Sequence, residues 1–297
     1  MRRRRPLISA RRRSRSDSNK IMNLVSAVAQ LVVTQMLMLI FTKRVTGRYK
    51  LPLCICLVQF VVSAFLSGIL MIDKKRKEGT KTNCFQANYL RLAAPLSLFW
   101  TMGFVLFNAS AALMSPAYVD LIRCGEPAAA TIVGYFAFGD RHSTQTLLTL
   151  VPIIGGVMLA SLSSSKNSFS PTGALVAGLS NFCFCCRPYA VKALKQHPLG
   201  SDMDDLTIFF SVTVAASLAL PPIVLLVEGL KLYRAIESAN EEDLIATFVD
   251  AFLSSVFFFF YQYAQLRVMS LLSPLAFSIF TPVVKALLIV ACSIYFG

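Results

Sequence analysis

Long apolar stretches separated by short polar breaks dominate this chain. The apolar runs fall at roughly 21–42, 51–72, 88–112, 115–138, 144–164, 171–194, 205–228, 244–270 and 273–297. Each is long enough for a membrane-spanning helix, which needs about 20 mostly apolar residues. The pattern predicts an all-α integral membrane protein with nine transmembrane helices. The breaks have the chemistry of helix ends. Phe138-Gly139-Asp140 places a glycine just past the fourth span, where a left-handed residue commonly closes a helix. Ser170-Pro171 opens the sixth span and Ser273-Pro274 the ninth, with proline in the first turn, where its missing N–H is harmless. The acidic, polar Asn240–Asp243 suits a loop before the eighth span.

Composition sharpens the class. Of 297 residues, 56% are apolar and 15% charged, against about 45–50% and about 25% in a soluble domain. No loop can hold a separate catalytic domain. No nucleophile–base pair or metal set accompanies the two histidines, His142 and His197. An enzyme, a bound cofactor and a metal site are therefore not expected. Of the cysteines, only Cys84 falls clearly in a loop. Cys183 and Cys186 have the spacing of a redox or zinc pair, but they lie inside an apolar span with no second pair. They read as free thiols packed as small apolar groups.

The net charge of +14 invites a nucleic-acid reading, which the placement of the charges opposes. Nine Lys/Arg lie in residues 1–20 and five more between Lys74 and Lys81. Basic clusters beside spans set membrane topology. The nine spans put 18 Lys/Arg on the N-terminal side and 7 on the other, so the N-terminus is expected in the cytosol. Residues 1–20 cannot bury a core and are expected to form a disordered basic cytosolic tail. Their Arg/Ser-rich, acid-poor composition equally fits a transit-peptide remnant or an arginine-based sorting signal.

Two segments resemble each other. SPAYVDLIRCGEPAAATIVGYFAFG (115–139) and SPLAFSIFTPVVKALLIVACSIYFG (273–297) have equal length, begin Ser-Pro and end Phe-Gly. If they are equivalent, the chain consists of two five-helix repeats, over 21–164 and 165–297. Five is odd, so the repeats are inverted in the membrane, an architecture of secondary transporters that places the substrate site near the midplane. The second repeat has four helices in this sequence, and the tenth is apparently missing.

Ionised residues inside a span cost about 2.5–3.5 kcal/mol on insertion scales and mark functional sites by default. Candidates are Asp120, Arg123, Glu126, Arg187, Asp250 and Lys285. Arg123 and Lys285 fall well inside the fourth and ninth spans, which an inverted repeat brings face to face across a central cavity. Two facing cations make an anion site. Tyr261 can offer a hydroxyl to the ligand or pack within the bundle. Asp120 can neutralise Arg123 at i,i+3. Glu126 can pair with Arg123 or Arg187 and so join helices, and both Glu126 and Arg187 read as structural. Asn108, in an unusable glycosylation sequon, and Asn181 read as polar contacts between helices.

Several motifs carry a family resemblance: IRCGEP (122–127), TLVPIIGGVMLASL (149–162), NFCFCCRPYAVK (181–192) and YQYAQLRVMSLLSP (261–274). In order and spacing they resemble the triose-phosphate/sugar-phosphate translocator family of the drug/metabolite transporter superfamily. The resemblance runs from about residue 21 to the end. It implies ten helices in two inverted repeats, alternating access, and exchange of phosphorylated sugars or three-carbon phosphates for inorganic phosphate. It also implies a phosphate held between a lysine of the fourth helix and a Lys-Arg pair of the ninth, near a tyrosine of the eighth. By position these fall on Arg123, on Val284 with Lys285, and on Tyr261. The polar residues of the third helix that contact substrate fall near Phe104 and Phe107.

The combined reading is an antiporter of a phosphorylated or otherwise anionic organic solute, held by Arg123, Lys285 and Tyr261. Two alternatives stay open: a nucleotide-sugar carrier of the Golgi or endoplasmic reticulum, and a truncated membrane protein that does not transport. The expected partners are the small anion and the lipid bilayer, with a homo-oligomer left open, and no nucleic acid. The expected location is the Golgi/ER membrane or the plastid envelope.

Overall fold

A computed structural model describes residues 5–78, 87–114, 116–123, 125–139, 170–201 and 203–284, with isolated positions between 148 and 155. The described elements are all helices: α1 (Arg5–Arg48), α2 (Pro52–Glu78), α3 (Ala87–Leu113), α4 (Pro116–Arg123) and α5 (Glu126–Phe138), then α6 (Pro171–Gln196), α7 (Pro198–Ser201), α8 (Asp205–Glu237), α9 (Glu241–Leu271) and the shorter α10 (Pro274–Val284). Among the described residues, six segments are long and apolar enough to cross a membrane: Leu24–Arg48, Pro52–Lys74, Asn88–Ser110, Pro171–Gln196, Asp205–Glu237 and Glu241–Leu271. The expected fifth span (144–164) and the last part of the ninth lie outside the described residues, as does the repeat boundary at 164.

Two expectations change. The expected disordered tail is helical in its described part: α1 begins at Arg5, ahead of its apolar segment. Arginine is a good helix former, and extending an existing helix needs no new nucleus. The fourth span, expected as one helix over 115–138, is two helices, because Pro127 cannot continue a helix through Arg123. A proline ring clashes with the carbonyl four residues earlier and offers it no N–H.

Predicted helix ends behave as their chemistry dictates. Gly139 closes α5 with φ 65° and ψ 17°. Ser170 Oγ accepts from Gly173 N–H at 3.2 Å, and Ser273 Oγ from Ala276 N–H at 3.3 Å.

α1 packs along α9, α3 along α6, and α2 against α8 and α9. The core between them is aromatic. Phe104 on α3 meets Phe60 of α2, Phe184 of α6 and Phe258 of α9 edge-on, at centroid distances of 5.7, 5.5 and 5.9 Å. Each such pair adds about 0.5–1.5 kcal/mol beyond its buried area. The phenylalanine run of α9 divides between interior and periphery: Phe258 and Phe259 are buried, while Phe260 is exposed.

Polar ties close the bundle at both ends. At the α1–α2 turn, the buried Glu228 carboxylate of α8 accepts from the N–H groups of Leu53 (3.0 Å) and Cys54 (2.9 Å). A carboxylate there satisfies the orphan donors of α2 and the positive end of its dipole. Beside it Arg48 pairs with Asp250 at 2.7 Å. Within the bundle on the same side, Thr42, Gln59 and Ser254 share hydrogen bonds across α1, α2 and α9. At the opposite face Lys74 pairs with Asp204, and Asp205 accepts from both Lys195 (2.6 Å) and Ser270 (2.8 Å).

Candidate functional site

The break between α4 and α5 shapes the site. Gly125 N–H still reaches Ile122 O at 3.0 Å, and Gly125 O accepts from Ala129 N–H, so the chain turns without leaving the bundle. Main-chain carbonyls along the two helices are then met by α6. Asn181 Nδ2 donates to Ile122 O (3.1 Å), Cys185 Sγ to Glu126 O (3.2 Å) and Tyr189 Oη to Ala130 O (2.8 Å). The donors are four residues apart and so are the acceptors. One face of α6 is thereby stitched to α4 and α5 in a single register. In a membrane such bonds contribute about 0.6 kcal/mol each on average. Gly134 leaves the space that the Tyr189 hydroxyl occupies.

The stitching fixes Arg123 at the end of α4, beside a cavity of about 250 Å³. The cavity reaches from mid-bundle toward the α1–α2 turn. Its walls are Gln35, Thr42 and Thr46 of α1, Gln59 of α2, and Phe104, Phe107 and Asn108 of α3. Arg123, then Phe184 and Arg187 of α6, Tyr261 and Gln265 of α9, and Phe280, Thr281 and Val284 of α10 also line it, with apolar side chains such as Leu31, Ile55 and Phe258 between them.

The two guanidiniums rest on rings. Arg123 Cζ lies 4.7 Å from the centroids of both Phe107 and Phe184. Arg187 Cζ lies 4.3 Å from Phe184 and 5.0 Å from Trp100. Phe184 therefore serves both cations. Each such contact stabilises by about 0.5–2 kcal/mol, more when desolvated. It leaves the N–H groups free: Arg123 Nε and Arg187 Nε and Nη1 are buried without a hydrogen-bond partner. Buried cations with unspent donors, beside a phenol and an amide, make a surface complementary to an anion.

The predicted residues divide as follows. Arg123 and Tyr261 line the same cavity. Arg187 lines it too, although the sequence reads it as structural. Lys285 lies outside the described residues, next to the cavity-lining Val284. Glu126 is buried, and neither of its carboxylate oxygens has a hydrogen-bond partner. Asn181 joins α6 to α4 as a polar contact between helices. Asn108 does not: its amide donates to Phe104 O within α3 (2.9 Å). A search confined to ionisable residues misses Phe184, Gln59 and Gln265. The glutamines were detectable as polar residues inside apolar spans. Phe184 carried no signal, being one phenylalanine among many.

A helical bundle with several segments long and apolar enough to cross a membrane, around a cavity lined by two guanidiniums, defines the class as a multi-pass membrane protein. The chain belongs to the Triose-phosphate Transporter family, whose model matches residues 22–297. It is similar to phosphoenolpyruvate/phosphate translocator 1, chloroplastic, of Oryza sativa subsp. japonica, with 27% identity over 257 residues, covering 86% of this chain and 61% of that protein. Phosphoenolpyruvate/phosphate translocator 3, chloroplastic, of the same organism is 28% identical, with 86% and 64% covered. Glucose-6-phosphate/phosphate translocator 1, chloroplastic, of Arabidopsis thaliana is 24% identical, with 86% and 64% covered. The chain thus spans less than two thirds of the length of these relatives.

Proposed function

We propose that this chain transports a small phosphorylated organic anion, exchanging it for inorganic phosphate by alternating access. Arg123 and Lys285 hold the anion and Tyr261 hydrogen-bonds it, with Arg187 as a further donor. The observation that carries this reading is the pair of guanidiniums stacked on Phe184 and lining one cavity, with Arg123 Nε and Arg187 Nε and Nη1 buried and unpaired. An arginine fork suits a phosphate, and each charge-assisted bond there contributes about 1.5–3 kcal/mol. The names of the relatives support phosphate as one exchanged species and a plastid envelope as the membrane. The basic tail supports a cytosolic N-terminus.

The test is counterflow in proteoliposomes loaded with phosphate. Labelled phosphate should enter, and phosphoenolpyruvate, triose phosphate or glucose 6-phosphate should compete. Lys285→Ala should abolish exchange while the protein folds normally, and unchanged exchange would remove Lys285 from the site. Competition by nucleotide-sugars alone would replace the phosphate-ester reading.

A further inference from the structure

The guanidiniums account for one part of the cavity, and its neutral polar groups follow a pattern of their own. Most have spent their donors on the protein. Gln59, 6% exposed, uses its Nε2 on Thr42 Oγ1 (3.3 Å) and Ser254 Oγ (2.9 Å). Asn108 Nδ2 donates to Phe104 O at 2.9 Å. The hydroxyls of Thr46 and Thr281 donate to carbonyls of their own helices, Thr42 O (2.9 Å) and Phe277 O (3.0 Å). What these side chains keep is lone pairs. Among the described residues no donor meets Gln59 Oε1 or Asn108 Oδ1. Gln265 has its Oε1 buried with no partner. All five line the cavity, where Gln35 and Tyr261 still have an N–H or O–H to give. A buried amide oxygen without a donor is costly, and a donor on the ligand relieves that cost. A hydroxyl can supply one; a carboxylate at neutral pH only accepts.

We propose that the cavity selects phosphate esters whose organic part carries free hydroxyls, read by the amide oxygens of Gln59, Asn108 and Gln265. It disfavours esters whose organic part ends in a carboxylate. The inference rests on the transport reading above and names the substrate class of that same site. The phosphate takes the unpaired N–H groups of Arg123 and Arg187, the charged groups among the described lining residues. Hydroxyls on the organic part then donate to the amides. These stand on α2, α3 and α9, so a ligand with hydroxyls on several carbons meets more of them than a ligand with one. Phosphoenolpyruvate, for which two of the relatives are named, has no hydroxyl. Its carboxylate would set lone pairs against lone pairs. A site that hydrogen-bonds a substrate hydroxyl rejects the analogue lacking it, because its own buried polar groups are then left unpaired.

The experiment measures inhibition of labelled-phosphate exchange by matched esters, in proteoliposomes holding the full chain. Glycerol 3-phosphate and n-propyl phosphate share a phosphate and a three-carbon chain and differ by two hydroxyls. Glycerol 3-phosphate should inhibit at a concentration about tenfold lower, the effect of one or two neutral hydrogen bonds. Phosphoenolpyruvate should inhibit no better than propyl phosphate. Equal inhibition by glycerol 3-phosphate and propyl phosphate would overturn the proposal, and so would phosphoenolpyruvate as the strongest of the three. Gln59→Met and Gln265→Met remove an amide while keeping the length of the side chain. At least one should narrow the ratio between glycerol 3-phosphate and propyl phosphate severalfold, whatever happens to the exchange rate itself. A native ratio in both folded variants overturns the assignment of the amides. Should neither fold, the ranking by the native chain decides. Phosphate exchange with the wrong ranking removes this inference alone. No exchange by the native chain removes the transport reading and this inference with it.

Discussion

Gly103 has no polar group and does not line the cavity, yet substituting it should damage the proposed anion site. A methyl at Gly103 would stand 2.6 Å from Phe184 Cε1 and 2.7 Å from Cδ1. Carbon atoms pack best at about 3.5–4.0 Å, so the ring must retreat by roughly 1 Å. It has little room. Phe184 is 1% exposed, meets Phe104 edge-on, and carries a guanidinium from each of Arg123 and Arg187. Overpacking of this kind costs about 1–3 kcal/mol. Moving the ring also loosens two cation–π contacts of about 0.5–2 kcal/mol each. Gly103→Ala should therefore lower stability by about 1–3 kcal/mol, and weaken phosphate binding by about tenfold, which corresponds to ~1.4 kcal/mol. The control is Gly178→Ala, where an added methyl meets nothing within 4 Å. The assay is thermal unfolding of the detergent-solubilised protein across a phosphate titration, which reads stability and affinity together. If Gly103→Ala and Gly178→Ala behave alike in both, Phe184 is not the platform that holds the two arginines.

Two other substitutions separate binding from scaffolding. Arg187→Lys keeps the charge but loses the planar fork and its stacking on Trp100 and Phe184; phosphate affinity by calorimetry should fall severalfold, because lysine binds phosphate as a point charge. Glu228→Gln leaves one acceptor oxygen where Leu53 and Cys54 now use two; it should lower thermal stability by about 1–3 kcal/mol while leaving phosphate affinity unchanged, since Glu228 does not line the cavity.

Much of the framework was legible in the sequence because the bilayer forces it. A span must be long and apolar, and its ends must manage their own polar groups, so Gly139, Ser170 and Ser273 announced helix ends that the structure keeps. The break after Arg123 was less legible. Pro127 was visible, but proline is welcome in the first turn of a helix and harmful only inside one. Which case applied depended on whether 115–138 was one helix or two. Arg123 and Tyr261 stood out as polar groups in apolar surroundings. The side chains that complete the cavity did not. Phe184 gains its role only when α4 and α6 are brought together, a relation between residues about sixty positions apart that no local pattern encodes. Glu228 escaped notice because it lies at the edge of its predicted span, where charge is cheap. In the fold it is buried against the start of another helix.

The stitching of α6 to α4 and α5 has a mechanical consequence. Sliding α6 by one residue would separate Asn181, Cys185 and Tyr189 from their three carbonyls at once, and twisting it would turn the donors away. The three helices therefore behave as a plank rather than a hinge. The sequence repeat would place α4 and α5 in one half of the molecule and α6 in the other. In the proposed transport cycle, opening the cavity to one side and then to the other would have to bend elsewhere than between α6 and the α4–α5 pair. A crosslink across α5 and α6 should leave the proposed phosphate exchange intact, whereas one between this plank and α1 or α9 should arrest it.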